Sequence, residues 1–296
     1  MTTDKDDQEN APTPNASRRG FIVRSVATGL VAASGRSLAA TPAVVETEVT
    51  VRTPDGVCDA AFIHPASGAY PGVIIWADAL GLRPAMRDIA KRLASEGYSV
   101  LVPNPFYRVS KAPQFTTAST LDFKNPDIMT MIRPLMTSVQ AAGAAEKDAI
   151  AYVAFLDAQS QVDKTKKIGT QGYCMGGALV VRTAASAPDR IGAGASFHGG
   201  GLVTDKPDSP HLLAPKIKAR MYFGVAASDD QRQPEAKDKL KESFTKAGVP
   251  AEVEVYSAKH GWCVPDMPME DGAPIYDEAQ AERAWRKLVA LYKALG

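Results

Sequence analysis

The sequence predicts an α/β fold, a mostly parallel sheet with helices on both faces. Three observations predict it. Short β-prone runs alternate with helix-patterned runs from residue 73 to the C-terminus. Val73–Trp76 is continuously apolar, and Tyr98–Val102 reads the same way, as strands covered on both faces do. Between Lys167 and Arg182 a β-prone run passes through Gly172-Tyr173-Cys174-Met175-Gly176 into an apolar helix-prone run. With 296 residues and 45% hydrophobic content, the chain can bury one large core.

Taken in order, Val44–Arg52 alternates apolar and polar residues, Pro54-Asp55-Gly56 signals a turn, and Val57–Ile63 completes an N-terminal hairpin. After Val73–Trp76, the loop Asp78–Leu82 leads into a helix over Pro84–Ser95, with proline near its start and Gly97 just past its end. Pro103-Asn104-Pro105 closes the Tyr98–Val102 strand. Residues 106–140 carry Pro113, Pro126 and Pro134 and read as short helices and loop, a candidate binding loop or lid. Helices are expected over Ala144–Leu156, Glu235–Lys246 and Asp277–Leu295. Strands are expected over Ile168–Tyr173, Ile191–Phe197, Met221–Val225 and Glu252–Tyr256. In such sheets a site forms at the carboxyl ends of the strands, which singles out the loops after Trp76, Gly172, Val225 and Tyr256.

The strand–helix junction has the form G-x-C-x-G, the nucleophile elbow with cysteine in place of serine. A strand turning sharply into a helix strains its central residue and leaves no room for side chains two positions away, hence the glycines. The helix N-terminus favours a thiolate at Cys174. A cysteine nucleophile needs a base, and the base needs an orienting acid. Of the four histidines, His260 follows the last strand, where a base is wanted. His198 follows a strand and precedes three glycines, and reads as structural or substrate-shaping. His64 and His211 have no evident partner. The acid is Asp229 or Asp230, both just past a strand, and spacing alone leaves the two open. Nucleophile, acid and base then follow one another as in the α/β-hydrolases.

From Val73 to the C-terminus the chain resembles the dienelactone hydrolase family, the cysteine-dependent branch of the α/β-hydrolases. Gly-Tyr-Cys-Met-Gly-Gly around Cys174, His260-Gly261, Asp78–Leu82 with Met86-Arg87, and Phe106-Tyr107-Arg108 carry the resemblance. It implies a small ester or lactone as substrate, a Cys-His-Asp triad and an acyl-enzyme. It places the oxyanion hole at the amides of Ala79 and Met175. Asp78 stands where the family has a glutamate that holds the resting thiol, and Arg108 matches an arginine that binds the substrate carboxylate. A second family arginine beyond the histidine falls near Val264, a departure that points toward a broader carboxylesterase or thioesterase. A reading from another class is a periplasmic binding or redox-responsive protein using Cys174 as an oxidisable thiol.

A formal charge of +1 implies neither nucleic acid nor an anionic membrane as partner. No eighteen-residue apolar run free of charge is present, so no stable membrane span is expected. The histidines are dispersed and no dinucleotide or phosphate-loop fingerprint appears, so neither metal nor organic cofactor is expected. Residues 1–40 read as a leader, with Ser17-Arg18-Arg19-Gly20-Phe21-Ile22, a mildly apolar stretch, Arg36 and a small-residue cleavage site at Ser37–Ala40. They resemble a twin-arginine export signal, which makes the export machinery a partner and the periplasm the destination of a single 41–296 domain. The three cysteines are too few for a disulfide framework; Cys58 and Cys263 could pair in an oxidising compartment, but read first as free, partly buried thiols.

Overall fold

The computed structural model describes residues 43–296, and the leader expected over 1–40 lies outside them. Eight strands form one sheet: β1 (Val44–Thr53), β2 (Gly56–Pro65), β3 (Gly72–Trp76), β4 (Ser99–Pro103), β5 (Ile168–Tyr173), β6 (Ile191–Phe197), β7 (Arg220–Ala226) and β8 (Ala251–Tyr256). Their order across the sheet is β1-β2-β4-β3-β5-β6-β7-β8. The hairpin β1–β2 is antiparallel and joins β4 antiparallel, and every pairing from β4 to β8 is parallel. A two-stranded ribbon, β9 (Met269–Glu270) with β10 (Ala273–Pro274), stands apart from it.

Period-2 alternation sends successive side chains to opposite faces. From β3, Ile74 and Trp76 enter one apolar cluster, while Val73 and Ile75 enter the other. The first cluster is covered by α2 (Pro126–Gln140), α3 (Ala144–Ala158), α4 (Met175–Ser186) and α6 (Ala236–Lys246), through Val139, Tyr152, Leu179 and Phe244. The second is covered by α1 (Pro84–Ser95) and α7 (Glu278–Tyr292), through Ile89, Leu93 and Leu288. All five residues of β3 and of β4 are buried, which is why these runs are apolar without alternation.

Two stretches differ from expectation. Residues 126–140 are one continuous helix, α2, with Pro134 inside it. Pro126 sits in its first turn and the Asn125 side chain accepts from the Asp127 amide, so the start is well capped. Ile132, Leu135 and Val139 fall on one buried stripe, and that tertiary contact outweighs the cost of an internal proline. The segment after β7 is not a loop but a short helix, α5 (Ala227–Arg232), with both candidate aspartates in its first turn.

Parallel register aligns the strand ends. Trp76 pairs with Gly172, Tyr173 with Phe197, Phe197 with Gly224, and Ala226 with Tyr256. The residues that follow β3, β5, β6, β7 and β8 therefore emerge along one edge. No helix among the described residues is long and apolar enough to cross a membrane.

Candidate active site

Cys174 is the junction between β5 and α4, with φ 51° and ψ −117°. This region is sparsely populated by non-glycine residues and costs about 1–3 kcal/mol, so its surroundings must enforce it. A Cβ on Gly172 would lie 2.2 Å from the Gly176 carbonyl oxygen, and one on Gly176 would lie 2.3 Å from that of Trp76. The elbow glycines therefore let α4 pack directly onto the end of β3. Cys174 is partly exposed, whereas Cys58 and Cys263 are free thiols that burial raises, Cys58 to about 12 and Cys263 well above its ordinary value.

His260 lies between Cys174 and Asp229. Its Nδ1 is 2.7 Å from Asp229 Oδ2, and its backbone amide donates to Ser228 Oγ at 2.9 Å. With Nδ1–H given to the carboxylate, Nε2 is left for Cys174. Burial works against a charged ring here, but hydrogen bonds to Asp229 and Cys174, and the charges behind them, outweigh it and push the His260 pKa up to about 10. The charged form of the His260 ring is thereby favoured beside Cys174. Asp230 points elsewhere, to Lys237 Nζ at 2.6 Å. Of the two aspartates left open by spacing, Asp229 is the one that meets the histidine.

Met175 opens α4, so its amide is among the four that have no intrahelical acceptor. Ala79 follows β3 on the segment against which α4 packs. Cys174 and Met175 also line a cavity of about 320 Å³, whose other walls include Met136 and Val139 of α2, Leu179 and Arg182 of α4, and Lys206.

Asp78 and Arg108 are engaged otherwise than expected. Both carboxylate oxygens of buried Asp78 accept from Arg83, at 2.7 and 2.9 Å, and Oδ1 also takes the Leu80 amide. Arg83 is wholly buried and its other edge grips Asp266 at 2.8 Å. Asp78 is thus a buttress of the Ala79 loop, its oxygens saturated by a guanidinium rather than offered to the thiol. Arg108 forks to Asp148 at 2.8 Å through two nitrogens and to Asp55 at 2.8 Å, and stacks over Tyr107. It ties α3 to the β1–β2 turn and does not line the cavity beside Cys174. Tyr173 and Trp262 are buried in the core.

Met136 and Val139 lie in the 106–140 stretch that the sequence marks as a candidate binding loop or lid, whereas Arg182 is a wall the sequence reading misses. Arg182 was legible in principle, since seven residues after Met175, about two turns on, a helix returns to nearly the same face. It binds Glu146 at 2.7 Å and Asp208 at 3.2 Å.

Comparison with known proteins now decides the family. The model of the Dienelactone hydrolase family matches residues 58–296. The chain belongs to this family. Its sheet order, elbow and strand-end site are those of the α/β-hydrolase fold. A Methylorubrum extorquens protein named "Putative carboxymethylenebutenolidase" is 28% identical over 99% of this chain and 98% of its own. "Protein usf" of Aquifex pyrophilus is 29% identical over 81% of this chain and 94% of its own. Among solved structures, a dienelactone hydrolase-like promiscuous phosphotriesterase from metagenomic libraries superposes with a TM-score of 0.65 at 22% identity. That match covers 86% of this chain and 99% of the other. As a dienelactone hydrolase family member, the protein is a hydrolase of small molecules.

Proposed function

We propose that this dienelactone hydrolase family member cleaves a small ester or lactone through a thioester on Cys174. The observation that carries the reading is His260 bonded to Asp229 through Nδ1, with its other nitrogen free for Cys174 at a strained strand–helix elbow. The Cys174 thiolate attacks the carbonyl carbon. The oxyanion rests on the amides of Met175 and Ala79, each such donor being worth about 3 kcal/mol in kcat terms. The tetrahedral adduct collapses, the C–O bond breaks, and His260 gives its proton to the departing alkoxide. Acylation removes the thiolate charge that helped to hold that proton. Burial then opposes Asp229 alone, and the neutral ring can take a proton from the water that hydrolyses the thioester.

The engagement of Arg108 by Asp55 and Asp148 favours an uncharged ester over an anionic dienelactone. Val264, where the family's second arginine would fall, is fully buried. This supports the broader carboxylesterase or thioesterase reading, with the 320 Å³ cavity taking a compact, largely apolar acyl or alcohol group. The same proposal includes export through the twin-arginine machinery to the periplasm, which rests on Arg18-Arg19 and Ser37–Ala40. A mature N-terminus near Thr41 in the periplasmic fraction, lost on replacing both arginines by lysine, would support it.

The test is a burst experiment with a chromogenic neutral ester. A burst near one equivalent per chain, abolished by iodoacetamide and by Cys174→Ala, is the expected result. Unchanged turnover in Cys174→Ala would sink the mechanism. Reversible thiol oxidation without turnover of any ester would favour the redox-binding alternative.

A further inference from the structure

His198 is the residue after β6, and the register of Tyr173 against Phe197 sets it beside Cys174. It is 1% exposed and has φ 40°, a left-handed conformation that few non-glycine residues adopt. Its own amide donates to the Gly224 carbonyl at 2.8 Å, which holds the turn. Its ring nitrogen Nδ1 lies 3.0 Å from the backbone nitrogen of Cys174. A backbone N–H can only donate, so Nδ1 is the acceptor and the ring proton sits on Nε2. The ring packs edge-to-face against His260 at 4.8 Å and Trp262 at 5.2 Å, and Nε2 has no hydrogen-bond partner among the described residues. The Cys174 amide also donates to Phe197 O, at a longer 3.2 Å.

Resting on the proposed thioester mechanism, we infer that His198 is a positioning residue whose Nδ1 holds the Cys174 amide and so fixes the nucleophile in its strained elbow conformation. It is not the base. Its acceptor nitrogen is spent on the amide and its other nitrogen carries the proton. Burial and the neighbouring charge of His260 keep it neutral, with a pKa well below the ordinary histidine value. Besides His260, the titratable groups facing it are Cys174 and Tyr173, the latter with its ring 6.0 Å away.

Two substitutions separate the acceptor from the ring. His198→Asn keeps an acceptor near the Nδ1 position and tolerates positive φ, but loses the ring. His198→Phe keeps the ring and loses the acceptor. With the whole chain and a chromogenic ester, His198→Phe is expected to lower kcat about tenfold, or about 1.4 kcal/mol, with KM nearly unchanged. His198→Asn is expected to stay much closer to the parent. The rate of Cys174 alkylation by iodoacetamide should follow the same order, which reads the elbow even if no ester is turned over. Equal losses in the two variants, a larger loss in Asn than in Phe, or no loss in either would overturn the inference. A measurement without mutation covers the case in which a variant fails to fold. Nitrogen-15 NMR of histidine-labelled parent protein should show His198 as the Nε2–H tautomer, and an Nδ1–H tautomer would overturn the assignment directly.

Discussion

Asp229 Oδ2 sits 2.7 Å from His260 Nδ1, while the next residue in the chain, Asp230, reaches 2.6 Å to Lys237 Nζ instead. One residue of offset in the first turn of α5 sends the two carboxylates to different partners. The Ala227 amide bonds to the Ala258 carbonyl at 2.9 Å, so the helix carrying Asp229 is stitched to the loop carrying His260.

The first prediction follows from that divergence. Asp229→Asn should lower kcat for ester hydrolysis by about 10²- to 10⁴-fold, the range for general acid–base groups. Asp230→Asn should cost about 1 kcal/mol of stability or less and leave kcat near the parent value, since its ion pair is partly solvated. Steady-state kinetics of both variants decide it, and equal effects would refute the assignment.

A second concerns pH. The His260 pKa is raised from 6.5 to about 10 on folding. A raised pKa means the folded state binds the proton more tightly, so the stabilisation is complete below pH 6.5 and is lost as pH rises toward 10. The difference in urea midpoint between the parent and His260→Gln should therefore shrink steadily across that interval. A constant difference would show that the proton is not held in the resting enzyme.

Arg83 supplies a third. It is wholly buried between Asp78 and Asp266, at 2.7 and 2.8 Å. Burial would raise the Asp266 carboxyl, but Arg83 outweighs it and holds its pKa below the ordinary value. Arg83→Met strands two carboxylates in the interior and should cost about 3–5 kcal/mol of stability. Urea unfolding reads this, and a loss below about 1 kcal/mol would mean that the loop relaxes to admit water.

Arg108 supplies the fourth. Because it braces Asp148 and Asp55, Arg108→Leu should lower stability yet leave the ratio of kcat/KM for anionic and neutral esters unchanged. A selective loss on the anionic ester would return Arg108 to the substrate.

Much of this was legible in sequence because local constraints dictate it. The β3 run Val73–Trp76 is apolar throughout because both faces are covered, and α1 begins and ends at the proline and glycine that mark it. The helix α2 was not legible, because Pro134 and the other prolines of 106–140 argue against a long helix when read locally. Its Ile132–Leu135–Val139 stripe gains its value only from the core behind it.

The sequence by itself determined the alternation of strands and helices, the elbow at Cys174 and the candidacy of His260, since each is written in neighbouring residues. Tertiary structure alone decided between Asp229 and Asp230, engaged Asp78 with Arg83 and Arg108 with Asp148, and brought His198 to the Cys174 amide. Those outcomes depend on which groups, up to 40 positions apart for Arg108 and Asp148, arrive within hydrogen-bond reach when the sheet aligns its strand ends. A buried carboxylate or guanidinium takes whichever opposite charge the fold delivers, and one-dimensional spacing does not encode that meeting.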